Sequence, residues 1–176
     1  MTISIEELEA FVHVDYAGKD TMHGFAHIHR VWRLAQEIAR DHDHDPEVLM
    51  LAAYFHGTIY IREPAIREFL ESKHVSSETI DRVIQVAWES QKEGEPETIE
   101  GAILHDAHLL EGGKTFIIAK SLVTGTLRGQ TLKETIAYLE EKVLGKFHCC
   151  LPECQERYEE KERFAREFLD DLKRNL

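Results

Sequence analysis

Apolar residues recur along this chain every three to four positions, the spacing that lines them up on one face of an α-helix, and no segment keeps the strict alternation of a half-buried strand. Ser4 followed by Glu7 fits a capping box ahead of a first helix over Glu6 to His13. From His23 to about Arg40, Val31, Leu34, Ala35, Ile38 and Ala39 fall on one stripe, which predicts a long core helix. Pro46 suits the first turn of a third helix running to Phe55, because its missing N–H would find no partner there, and Gly57 follows as a stop. Further helices are predicted at Pro64 to Ser72, Glu78 to Ser90, Thr98 to Leu110, Lys114 to Leu122, Leu132 to Leu144 and Pro152 to Asn175. The expected fold class is all-α, a single-domain helical bundle over residues 1–176.

Composition narrows the function. At 176 residues, 43% hydrophobic and 31% charged, the chain can bury one sizeable core in the manner of soluble globular proteins. No apolar run approaches the ~20 residues of a membrane span. The opening MTISIEELEAF carries acids where a secretion signal has a basic and then an apolar block, so a cytoplasmic protein without membrane attachment is expected. A net charge of −12 repels a phosphate backbone, which argues against nucleic acid and for a small-molecule partner. Oligomeric state stays open.

Three short clusters carry less chemistry than their letters suggest. DHDHD at 41–45 reads as a solvated turn before Pro46. His148, Cys149, Cys150 and Cys154 offer four zinc-type ligands, but adjacent cysteines in so short a loop hinder a closed tetrahedral site, and buried thiols are the simpler expectation. Gly112 and Gly113 before Lys114 lack the preceding strand and the first glycine of a phosphate loop, and are expected to break the chain between two helices.

The histidines matter by position. His23, His27 and Arg30 recur at helical spacing beside Val31 and Leu34, so they extend the core-facing stripe of the second helix. His56 closes the apolar run LMLAAYF, and Asp106 sits within AILHDAHLL, where a carboxylate needs a partner. A helical bundle can bring such distant positions to one pocket, and two imidazoles with a carboxylate suit a divalent transition ion. On spacing alone, the favoured reading is simpler: each histidine is a core imidazole bonded to a backbone carbonyl, and Asp106 is a cap or ion-pair partner.

The order of these residues resembles the HD superfamily, whose pattern is a His on one helix, a His-Asp pair ending another and a distant Asp on a later one. His27, His56 and Asp106 match that pattern, and HGFAHIHRVWRLAQEIA, LAAYFHGTIY, EPETIEGAILHDAHLLEGG and ERYEEKERFAREFLDDL are similar to successive blocks of small stand-alone HD proteins. Lys92 and Gly101 also match. The chain departs from the pattern at Gly57, where the signature pair has Asp, at Trp88, where similar proteins have a pocket histidine, and at His108, where the block usually reads Asp-Ala-Asp.

The resemblance implies a metal-dependent phosphohydrolase in which His27, His56 and Asp106 hold one divalent ion (Mn, Ni, Fe, Zn or Mg) and a metal-bound water is the nucleophile. His23, Arg30 and Lys92 are the candidates for binding a small phosphorylated molecule or nucleotide. His108 lies two positions from Asp106, so a helix would turn it largely away, whereas His23 is one turn from His27 and better placed to replace a ligand. The different-class alternative is a degenerate HD protein that binds a metal or phosphorylated ligand without turnover. A partner-binding module resting on the acidic C-terminal helix is a third.

Overall fold

The structure, a computed structural model, describes residues 3–92 and 94–176. Among the described residues the chain forms helices α1 (Ile5–Tyr16), α2 (Ala26–Ile38), α3 (Pro46–Phe55), α4 (Ile59–Ser72), α5 (Ser77–Glu89), α6 (Ile99–Leu110), α7 (Phe116–Leu127), α8 (Leu132–Lys142) and α9 (Pro152–Arg174), a single 3-10 turn at Ala39–Asp41, and no strand. The all-α expectation holds. None of these helices is long and apolar enough to cross a membrane.

Local chemistry sets most of the helix starts. The Ser4 hydroxyl accepts from the Glu7 N–H while the Glu7 carboxylate accepts from the Ser4 N–H, the reciprocal capping box. Thr131 and Glu134 repeat it at α8. Asp45, Ser76 and Thr98 cap α3, α5 and α6 through their side-chain oxygens. Two starts differ from the sequence expectation by three residues or more. Asp20 Oδ1 accepts from the Met22 and His23 N–H groups, so 20–23 form a turn and α2 begins at Ala26 rather than His23. α4 begins at Ile59 and takes Pro64 into its interior. Pro64 cannot donate back to the Tyr60 carbonyl, but Tyr60 and Pro64 are both exposed, so water can satisfy that oxygen.

α3 and α6 are buried almost all round, as helices apolar on every side must be, and both lie against α2 and α5 at the centre of the main core. α1 joins that core by packing on α3, and α4 by packing on α5. A second, smaller core of Ile118, Ile136, Leu139, Leu144, Ala165 and Leu169 binds α7 and α8 to the C-terminal half of α9. The chain crosses from one core to the other at Gly112 and Gly113, both at φ 71°, a left-handed conformation that glycine adopts without penalty and that ends α6.

Candidate metal centre and adjoining cavity

Three imidazoles meet where α2, α3 and α6 converge. His27 lies in the first turn of α2, His56 directly follows α3, and His108 lies in the last turn of α6. Their ring centroids are 5.1, 5.3 and 5.3 Å apart, a nearly equilateral triangle. His56 Nδ1 is 2.6 Å from the Ala53 carbonyl and His108 Nδ1 3.3 Å from the Ser90 carbonyl, while His27 Nδ1 stands 2.8 Å from Glu111 Oε1 as an ion pair whose angles fall short of a hydrogen bond. Carbonyl and carboxylate oxygens only accept, so in the neutral rings Nδ1 carries the proton and Nε2 is a bare lone pair.

His27 Nε2 and His56 Nε2 lie 3.1 Å apart, and one ring nitrogen from each of the three histidines lies within 4.8 Å of the others. Acceptor nitrogens so close, with no hydrogen between them, repel unless a cation stands among them. Burial, and then the neighbouring His27, push His56 down to about 3. His108 is held well below the ordinary histidine range by burial and then by His56 and His27. These rings are therefore neutral and open to a divalent ion, and the donor set fits one.

Glu111 organises the other side of His27. Its carboxylate, nearly fully buried just past the end of α6, takes Arg30 Nε at 2.8 Å on Oε1 and Lys120 Nζ at 2.8 Å on Oε2. Burial alone would raise its pKa, but His27 and Lys120 hold it well below the usual carboxylate range. Lys161, buried on α9, donates to the Leu109 and Glu111 carbonyls at 2.8 and 3.0 Å and so satisfies the C-terminal end of α6. Burial pushes Lys161 down to about 8.

A cavity of about 220 Å³ opens beside His108 and Glu111. Lys92, Lys120, Arg128 and Lys161 line it against one acid, Glu111, among the described residues. In a chain of net charge −12 that local excess of cations favours an anion. Phe147 and Tyr138 add aromatic faces to the wall.

Of the residues expected at the site, His27 and His56 come together, and Asp106 does not join them. Its Oδ1 accepts from the Cys150 N–H and lies 2.9 Å from His105 Nδ1, and its Oδ2 accepts from the Leu151 N–H, so it anchors the loop leading into α9. Two residues of helix turn a side chain by about 200°. Asp106 and His108 therefore do face apart, as expected, but the one turned to the histidines is His108. His23 lines the cavity with Nδ1 2.9 Å from Asp20 Oδ2, and Lys92 lines it with Nζ 5.6 Å above the Phe147 ring. Arg30 is not in the lining. It holds Glu111 and donates to the Met22 carbonyl.

Trp88 points out from α5 and donates to Glu63 Oε2. At Gly57 there is no room for a side chain, since a Cβ would stand 2.1 Å from the Tyr16 hydroxyl. Lys19 donates to the Gly57 carbonyl and sits 4.0 Å above the Tyr16 ring. Sequence reasoning missed Glu111, Lys120, Lys161 and Tyr16. Glu111 did leave a signal: an acid at a helix C-terminus opposes the helix dipole and needs cations brought to it.

The family model for the HD domain matches residues 24–144. Bacillus subtilis YpgQ in complex with ADP superposes with a TM-score of 0.78 at 22% identity, over 98% of each chain. A protein from Lactobacillus plantarum gives 0.79 at 19% identity, again over 98% of each chain. An HD-superfamily hydrolase from Bacillus thuringiensis gives 0.76 at 19%, over 97% of this chain and 95% of its own. No curated protein matches the sequence.

Proposed function

The chain belongs to the HD domain family, and on that premise we propose that it is a metal-dependent phosphohydrolase acting on a small phosphate ester or nucleotide held in the cavity beside His108. The observation that carries this reading is the meeting of three converging imidazoles with a cavity whose lining holds four cations and one acid among the described residues.

His27, His56 and His108 would hold one divalent ion. Bound there, such an ion supplies a Lewis acid that polarises a phosphoryl oxygen and acidifies water. The protein does the rest. Lys92, Lys120 and Arg128 offset the charge of phosphate oxygens, and Glu111 keeps His27 turned so that Nε2 faces the other two rings. In the reaction a water oxygen forms the new P–O bond, the P–O bond to the leaving group breaks, and a proton passes to the departing oxygen. His23, at the cavity wall with Nδ1 on Asp20, has its other ring nitrogen left to carry that proton.

The ADP bound by Bacillus subtilis YpgQ makes a nucleotide the first probe to try. The test is elemental analysis of the purified protein and of His56→Ala and His108→Ala, followed by phosphate release from ADP, nucleoside triphosphates and p-nitrophenyl phosphate. Near-stoichiometric metal lost in both variants, with metal-dependent phosphate release, supports the hydrolase. One observation favours a second reading, binding without turnover: no carboxylate stands among the three candidate ligands. ADP that raises the melting temperature while no phosphate appears would establish that reading instead. Absence of metal after incubation with manganese, nickel and zinc would remove the hydrolase.

A further inference from the structure

The donors that face one another at the head of the cavity are all imidazole nitrogens. Glu111, the acid in contact with them, meets His27 from its Nδ1 side and already has Arg30 and Lys120 on its oxygens. Asp106 has backbone N–H groups on both oxygens, and Asp20 is taken up by His23. The site thus offers an ion imidazole nitrogen, with Glu111, Asp106 and Asp20 all engaged elsewhere; Asp15, next to Tyr16, has Oδ1 on Arg62 and Oδ2 buried without a partner among the described residues.

The side next to His56 is closed in an unusual way. Gly57 presents no side chain, and the space where one would begin is filled by the Tyr16 hydroxyl, 2.1 Å from the position of a Cβ. That hydroxyl is buried and has no hydrogen-bond partner among the described residues. Buried hydroxyls are seldom left without a partner, so a group absent from the protein itself is the natural contact for it. Lys19, over the ring and bonded to the Gly57 carbonyl, fixes the phenol in place.

Hard ions such as magnesium and manganese seek carboxylate, carbonyl and water oxygens, whereas imidazole sets suit zinc, nickel and cobalt. Building on the reading that the three histidines hold an ion, we propose a nitrogen-donor centre that takes zinc, nickel or cobalt and excludes magnesium, with the Tyr16 hydroxyl as the polar contact on the side where residue 57 has no side chain.

The test uses the whole chain stripped with a chelator and titrated with cobalt, whose visible absorption reports coordination without any turnover, and then challenged with zinc, manganese and magnesium. The parent should give a cobalt band that zinc abolishes and that millimolar magnesium leaves intact. Tyr16→Phe, which keeps the ring, should shift the band and weaken cobalt by about tenfold. His108→Asp, which puts a carboxylate among the donors, should narrow the zinc-to-manganese preference by about tenfold. Should that variant fail to fold, the parent profile and Tyr16→Phe still decide. Magnesium displacing cobalt, or a cobalt band unmoved in Tyr16→Phe, overturns the inference while leaving a metal site in place. Uptake of none of these ions by the parent overturns both the inference and the hydrolase reading beneath it.

Discussion

Glu111 Oε1 lies 2.8 Å from His27 Nδ1, which ties the loop leaving α6 to the first turn of α2. A carboxylate beyond the C-terminal end of a helix stands in an unfavourable field, and here it is kept by Arg30 and Lys120 on its own oxygens and by Lys161 on the neighbouring carbonyls. The same carboxylate lies at ion-pair distance from His27 and lines the cavity, so one acid couples the anion cavity to the imidazole triangle.

Glu111→Gln keeps the shape but removes the charge. It should lower metal affinity by about 10- to 100-fold, as loss of a ligand-orienting carboxylate does, and reduce stability by about 1–3 kcal/mol because Arg30 and Lys120, both half-buried, lose their charged partner. Metal titration and urea unfolding of the variant check the two effects separately.

Acid should destabilise the metal-free protein from near neutrality downward. His56 and His108 stay neutral in the fold, with His56 pushed down to about 3, whereas in the unfolded chain histidine takes up a proton below about pH 6.5. The unfolded state then binds more protons, so stability falls as pH drops through that window, by up to about 1.4 kcal/mol per pH unit for each ring. Glu111, whose pKa is depressed, adds in the same direction once free carboxyl groups begin to protonate near pH 4 to 5. Melting temperatures of the chelated protein between pH 7.5 and 4.5 measure this, and a level profile contradicts it.

Asp106 and His108 should separate stability from metal binding. Asp106→Ala leaves the Cys150 and Leu151 N–H groups without their acceptor and should cost about 2–4 kcal/mol, while the folded fraction still binds metal. His108→Ala should abolish metal uptake at a smaller cost in stability. Equal loss of metal in a well-folded Asp106→Ala would assign the carboxylate to the ion after all.

Gly57→Asp alone should destabilise the protein, because its Cβ meets the Tyr16 hydroxyl at 2.1 Å. Combined with Tyr16→Ala, the aspartate gains room, and the double variant should be more stable than the sum of the two single losses by about 1–3 kcal/mol. Chemical denaturation of all four proteins in the cycle gives this coupling directly, and simple additivity would mean that the two positions do not compete for space.

Much of the fold was legible because helical period and caps are local: Ser4 with Glu7, Pro46, and the stop after His56 all act where they stand in the sequence. The start of α4 was not, because Pro64 breaks a helix only where the lost hydrogen bond cannot be replaced by water. His27 and His56 stood out by their place on apolar stripes, and the resemblance to the HD superfamily paired them. Choosing between Asp106 and His108 could not be done that way, since α6 is surrounded and every one of its faces meets protein. Glu111, Lys120 and Lys161 meet only through tertiary packing of segments far apart in the chain.

The cavity sits on the seam between the two cores, with Leu109 and Phe147 from the larger and Ile117 and Val143 from the smaller in its walls. A molecule lodged there acts as mortar: its contacts with one block are also contacts that hold the other. Filling the cavity should therefore slow amide exchange along α7 and α8 and leave distant α4 unchanged, so that occupancy is written into the cohesion of the two halves as well as into the chemistry at their junction.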